Sequence, residues 1–165
     1  PSVSNWSDVA VYSPIDGTIL DVEHEWAGTR VMIKSTDHPA YHFVLFHIDL
    51  DTTLTNGAAV SAGQLLGSHI GNETTSDIAV RISTVYSNQP MHRLISYFEV
   101  MTDGLFSNYV DRGVADLSDL IISQSERDSD PLICEGETFI GPTGSVYYVD
   151  GGFGNITNVF ELSAP

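Results

Sequence analysis

The chain has 165 residues, a length typical of one domain with a hydrophobic core, and a single cysteine, which excludes an internal disulfide and a cysteine-based metal cluster. Its 22 acidic side chains against six lysines and arginines give a net charge of −16, which disfavours binding to nucleic-acid phosphates and to anionic membrane surfaces. The sequence has no apolar run long enough to cross a bilayer, so membrane insertion is not expected.

The first half of the chain has the pattern of short strands separated by turns. Residues 29–34 alternate, which places Val31 and Ile33 on one face and Arg30, Met32 and Lys34 on the other. Positive-φ turns are expected at Asp16-Gly17 and Asn56-Gly57. The predicted strands are residues 9–12, 18–22, 29–34, 41–50 and 77–83. The predicted core includes Val31, Ile33, Val44 or Leu45, Leu65 and Ile78.

The second half has a different character. Residues 94–101 have the composition of one more strand. Thr102 or Asp103 is the predicted N-cap of a short helix that stops at Gly113, and Ser118 is the predicted cap of a second helix. Closing strands are expected at residues 145–149 and 158–162. We therefore predict one domain, residues 1–165, with a β core at 9–83 and an extension at 84–165.

Three motifs resemble those of M23 (LytM-type) metallopeptidase domains, and they occur in the family's order and spacing. Residues 12–19, YSPIDGTI, are similar to the family's A-P-x-D-x-G-T-V opening. Residues 43–49, FVLFHID, are similar to its Y-x-x-x-Y-x-H-L strand, and residues 60–67, VSAGQLLG, to V-x-x-G-Q-x-I-G. The resemblance covers about half of the chain. It implies a mostly β fold, namely the duplicated hybrid motif or barrel-sandwich hybrid, with an antiparallel β core and a small α-containing C-terminal extension.

The residues that would bind zinc in this family are missing. Working M23 enzymes carry an H-x3-D motif shortly before the opening turn, where this chain reads SDVAVY at residues 7–12. A later strand supplies an H-x-H, where residues 77–82 read DIAVRI. Only His47 matches a family site position, that of the catalytic histidine that does not bind zinc. A zinc peptidase site is therefore not expected, and neither a metal nor a cofactor is predicted.

His47 is the centre of the candidate site. On a regular strand, Asp49 and Asp51 share its face, which suits either acid–base chemistry or the polar outer face of an edge strand. The catalytic candidates are His47, Asp49 and Arg81. The ligand-binding candidates are Trp26, which lies in a turn where a large ring has little reason to be buried, and Asp77 and His69. A surface salt bridge between Asp77 and Arg81 is the simpler alternative for that pair.

These features favour a secreted module that binds a glycan, peptidoglycan or a protein partner of the cell envelope. Residue 1 is Pro rather than Met, as in a chain whose leader has been removed, so an extracellular or periplasmic location is expected. One alternative is a polysaccharide lyase or hydrolase with His47 as its base, assisted by Asp49, Arg81 or a tyrosine. Another is an atypical metal-dependent hydrolase that uses His42, His47 or His69.

Overall fold

The computed structural model describes residues 5–71, 75–129, 133–135, 138–140, 146–148 and 162–163. The protein is mostly β, as the sequence predicts, and its principal sheet is antiparallel and curled into a half-barrel. Its contacts divide the chain into two compact units, Pro1–Tyr97 and Phe98–Pro165. None of the helices in the described part of the chain has the length and apolarity needed to cross a lipid bilayer.

The first unit contains the eight-stranded sheet. The strands are β1 (Ala10–Tyr12), β2 (Gly17–Glu25), β3 (Gly28–Ser35), β4 (Tyr41–Leu50), β5 (Ala59–Val60), β6 (Leu65–His69), β7 (Asp77–Tyr86) and β8 (Gln89–Ile95). A 3-10 helix, Trp6–Asp8, precedes β1. The path through the sheet is β1-β6-β4-β3-β2-β5, and β7 pairs with both β4 and β8. All five strands predicted in this half are present, and β8 extends the sheet beyond the predicted boundary at residue 83.

The core cluster of this sheet follows from the alternation of its strands. Val31 and Ile33 are completely buried, and Ile78 packs against the core from a partly buried position, as predicted. Both Val44 and Leu45 are buried. The core cluster consists of Ile19, Val31, Ile33, Leu45, Ile48, Leu50, Val60 and Leu66.

The prediction that Leu65 is buried is wrong. Leu65 is 55% exposed, whereas its neighbour Leu66 is completely buried. Successive side chains of a strand point to opposite faces, so an error of one residue exchanges the buried and the exposed leucine. Two adjacent leucines carry no signal in the sequence that distinguishes these two registers.

Two glycines of the predicted turns have different roles. Gly57 has a φ of 88°, the left-handed conformation that was expected of it. Gly17 instead belongs to β2, where a Cβ atom would lie 2.5 Å from the carbonyl oxygen of Lys34. The positive-φ turn predicted at Gly17 is therefore wrong, and glycine is needed there for the close approach of two strands.

The second unit contains the short helices and a small sheet. Helix α1 (Asp103–Val110) is capped by Thr102, whose side chain accepts from the Leu105 amide, as predicted. The expected helix at Ser118 is a 3-10 turn, Leu117–Leu120, and its cap is Asp116. The remaining elements are α2 (Gln124–Ser129), β9 (Ile133–Glu135), β10 (Thr138–Ile140) and β11 (Val146–Tyr148), and these three strands pair antiparallel.

Two further predictions concern the segments around this unit. The strand predicted at residues 94–101 is wrong over most of its length, because β8 ends at Ile95 and a 3-10 helix, Tyr97–Val100, follows. Strand β11 lies within the segment predicted at 145–149, but most of the segment predicted at 158–162 lies outside the described residues. The hypothesis of a single domain stays a prediction.

Candidate functional site

The candidate site lies where strand β4 changes its partner. One edge of β4 pairs with β3, while on the other edge residues 41–46 pair with β7 and residues 48–50 pair with β6. His47 occupies the position between these two partners. In the ladder with β3, Val31 pairs with Leu45 and Thr29 with Ile48, so Phe46 and His47 together oppose Arg30. This is a β-bulge, and His47 has a φ of 56°, which costs a non-glycine residue about 1–3 kcal/mol.

Hydrogen bonds to the segment before β7 hold His47 in this conformation. Its Nδ1 lies 2.9 Å from the carbonyl oxygen of Thr75, and its own carbonyl oxygen accepts from the Ser76 hydroxyl at 2.8 Å. Since a carbonyl only accepts, Nδ1 must carry the proton when this bond forms. In the neutral ring, Nε2 is then the basic nitrogen. The same arrangement orients histidines that act as bases or ligands in other proteins.

Two carboxylates flank the ring of His47. Glu25 Oε2 lies 3.9 Å from Nε2, and Asp77 Oδ2 lies 3.9 Å from Nδ1. Partial burial raises the pKa of Asp77; His47 opposes that rise, and the nearby Glu25 carboxylate reinforces it. The two carboxylates thus compete for the positive charge that a protonated His47 supplies.

Arg30 organises the acidic side chains on β2. A bulge at Leu20 shifts the register of β2, after which Asp21, Glu23 and Glu25 alternate along the strand. The Arg30 guanidinium contacts Asp21 at 3.0 Å, makes a close contact with Glu23, and lies 4.0 Å from Glu25. Its Nε is buried and has no hydrogen-bond partner within the described part of the chain. Arg30 therefore offsets the repulsion between carboxylates that would otherwise face one another unpaired.

Trp26 projects from the hairpin that joins β2 to β3. Glu25 pairs with Gly28, so only Trp26 and Ala27 form the turn, and Gly28 supplies a φ of 92°. Ala27 is buried, whereas Trp26 is 85% exposed. The indole and the His47 ring have their centroids 6.4 Å apart and their planes tilted by 48°. The turn thus presents a flat apolar ring to solvent beside His47 and the carboxylates of Glu25 and Asp77.

The structure brings together three of the six candidate residues: His47, Asp77 and Trp26. Asp49 was expected on the face of His47, and this expectation stays a prediction. No hydrogen bond or ion pair between described residues joins Asp49 to His47. Asp49 instead lines a cavity of about 360 Å³ together with His24 and His69.

Asp51 and Arg81 also lie away from His47. Asp51 follows the end of β4 and accepts from both the backbone amide and the hydroxyl of Thr53, the first of which chiefly lowers its pKa. Arg81 pairs with His42, five positions before His47 on β4. No Asp77–Arg81 ion pair occurs among the described residues. The catalytic role proposed for Arg81 stays a prediction, but the structure does not place Asp51 or Arg81 beside His47.

His69 is held by the loop before β7. The Gly71 amide points at Nδ1 at 3.0 Å and the Ser76 amide at Nε2 at 3.2 Å, while the Trp6 ring lies 5.8 Å away. A neutral imidazole has one acceptor nitrogen, so it satisfies one of these amides at a time. Across the residues that the structure describes, no three His, Cys, Asp or Glu side chains are arranged to hold a metal ion.

Glu25 and Arg30 belong to the site, and the sequence analysis did not identify them. The pairing of the β2–β3 hairpin is the sequence feature from which both residues could have been predicted. If Trp26 and Ala27 form a two-residue turn, Glu23 faces Arg30 directly and Glu25 lies diagonal to it. Comparisons with protein-family models, with curated proteins and with solved structures found no match to this chain.

Proposed function

We propose that this chain is an M23-like module without a zinc peptidase site that binds a glycan at the envelope or outside the cell. Its binding surface consists of Trp26, Glu25, His47 and Asp77. The observation that carries the proposal is the 85% exposure of Trp26 on a two-residue turn beside these polar side chains. Exposed rings of this kind stack on the apolar face of a sugar, while neighbouring carboxylates and imidazoles accept hydrogen bonds from its hydroxyl groups.

The charges of this surface narrow the class of glycan. Arg30 is engaged by Asp21 and Glu23, which leaves Glu25 and Asp77 as the acceptors nearest to His47 and Trp26. Carboxylates repel uronates and sulfates and attract hydroxyl and ammonium groups. The expected ligand is therefore a neutral or amino sugar, including the sugars of peptidoglycan. A single exposed ring amid carboxylates is also small for a protein interface, whose centre is depleted of charge.

Tryptophan fluorescence tests this proposal directly, since the chain has two tryptophans. In a Trp6→Phe variant, Trp26 is the single reporter, and its emission should shift when a panel of neutral, amino and acidic oligosaccharides is titrated. Trp26→Ala should weaken binding at least about tenfold, or 1.4 kcal/mol. Trp6→Ala is the matched control and should bind as the wild type does. Equal affinities of the Trp26→Ala and wild-type proteins would refute the proposal.

A second candidate function is a polysaccharide lyase or hydrolase that uses His47 as its base. The bond from Nδ1 to the Thr75 carbonyl favours this candidate, because it leaves Nε2 as the basic nitrogen. The same oligosaccharide panel, analysed for shortened or unsaturated products, distinguishes an enzyme from a binding module. Turnover should be lost in His47→Asn, which tolerates the left-handed backbone but has no basic nitrogen, and kept in His38→Asn, since His38 is exposed and contacts Tyr41.

A further inference from the structure

A second cluster of charges lies away from the His47 site and is basic. Lys34 and Arg30 are on the same, outer face of β3, four residues and about 13 Å apart. His42 on β4 pairs with Lys34 on one side and with Arg81 of β7 on the other. His92 on β8 pairs with Ser83, two residues beyond Arg81 on the same face. Four basic side chains on four adjacent strands of the sheet are therefore neighbours. We call Lys34, His42, Arg81 and His92 the basic cluster.

Among the residues that the structure describes, no ion pair joins the basic cluster to an acidic side chain. The ion pairs of the described residues include neither Lys34 nor Arg81, although the protein carries 22 acidic side chains. Burial lowers the pKa of His42, and the charges of His92, Lys34 and Arg81 lower it further. The register of the strands places these groups close together, since Lys34 and Arg81 both pair directly with His42. Like charges on adjacent strands are destabilising unless an anion lies between them.

We propose that the basic cluster is a binding site for an oxyanion, either free phosphate or sulfate or the same group carried as a monoester on a small molecule. Neighbouring side chains across the strands have Cβ atoms about 5 Å apart, which suits one tetrahedral anion shared by several donors. Arg81 supplies a planar fork of N–H donors and Lys34 a point charge, the two groups that most often bind such anions. His42 and His92 supply ring N–H donors at the edge.

This site is independent of the proposed glycan surface, because it uses different residues and a different kind of ligand. Its test is a titration of the wild-type protein with sodium phosphate, sodium sulfate and glucose 6-phosphate, with chloride adjusted to keep the ionic strength constant. The ring signals of His42 and His92 are followed by NMR. Both rings should shift together and give one dissociation constant for each anion. If glucose 6-phosphate has a smaller dissociation constant than phosphate and sulfate, the ligand is the monoester. If its dissociation constant is larger, the ligand is the free ion.

Charge-matched variants decide whether the effect is local. Arg81→Gln and Lys34→Gln should each weaken binding by about tenfold or more, as expected on loss of a charge-assisted donor. Arg93→Gln is the control, since Arg93 pairs with Ile82 and lies on the opposite face of the same hairpin. It should change the affinity by less than about twofold, because successive side chains of a strand point to opposite faces of the sheet. If neither ring shifts in the wild type, or if Arg93→Gln weakens binding as much as Arg81→Gln, the proposal is wrong.

Discussion

Replacement of Arg30 by methionine tests whether the acidic side chains of the candidate site depend on one cation. The guanidinium contacts Asp21, Glu23 and Glu25, which alternate along β2, and it is 23% exposed. Methionine preserves the apolar stem of the side chain but removes the charge. Three carboxylates on one face of β2 would then lie side by side without the charge of Arg30.

The expected magnitude follows from the number of contacts. An exposed ion pair stabilises a protein by roughly 0.2–1 kcal/mol, and Arg30 makes three such contacts. We therefore expect Arg30→Met to lower the free energy of unfolding by about 0.6–3 kcal/mol at low salt. In 1 M NaCl the Debye length falls to about 3 Å, so the loss should shrink by about half.

Urea unfolding followed by circular dichroism, in chloride buffers without phosphate or sulfate, measures this difference. Lys34→Met is the matched control: it removes one positive charge from the same face of the same strand, but from among cationic neighbours. It should leave stability unchanged or raise it slightly. If both variants lose the same stability, the effect comes from net charge rather than from the Arg30 contacts, and the reasoning is refuted.

Three further predictions test the packing and the electrostatics of the first unit. Leu66→Ala should cost about 2–5 kcal/mol and Leu65→Ala less than about 0.5, as measured by urea unfolding, because only Leu66 is buried. Gly67→Ala should destabilise by at least about 1 kcal/mol, because its Cβ would collide with the Asp49 carbonyl, whereas Gly104→Ala, which meets open space in α1, should not. Asp77 has a raised pKa, so the wild type should lose stability relative to Asp77→Asn as the pH rises through that pKa. The effect should be a few tenths of a kcal/mol, because the side chain is 58% exposed, and urea midpoints from pH 3 to 7 that stay parallel would contradict it.

The regular parts of the fold could be predicted because local rules determine them. The alternation of residues 29–34 correctly placed Val31 and Ile33 in the core, since both faces of β3 are regular from Gly28 to Ser35. Thr102 was one of two predicted helix caps, because a threonine side chain can accept a hydrogen bond from a backbone amide that the first turn leaves unpaired. In the structure the Leu105 amide donates this bond. Neither inference needs information about a distant part of the chain.

The bulges could not be predicted, and they determine the candidate site. Each one adds a residue to a strand without a distinctive sequence signal. The bulge at Leu20 ends the regular pairing of β2 with β3 that places Asp21, Glu23 and Glu25 on the face of Arg30, and the bulge at Phe46 and His47 lets two residues of β4 oppose Arg30. Arg81 was grouped with His47 because residues 77–82 stand where the M23 family carries its H-x-H strand. In the structure, β7 pairs with the first half of β4. This pairing places Asp77 beside His47 and Arg81 beside His42.

His47 therefore has a structural role whether or not it also binds a ligand. It adopts a left-handed backbone conformation, and its side chain and carbonyl group both bond to the segment that leads into β7. His47→Ala would remove the bond to Thr75 and keep the strained backbone, so lost function in that variant does not separate binding from folding. Asparagine tolerates the left-handed conformation and keeps a polar side chain, but it lacks a basic nitrogen. A His47→Asn protein that unfolds at the same urea concentration as the wild type, yet has lost glycan binding or turnover, would assign that loss to the imidazole itself.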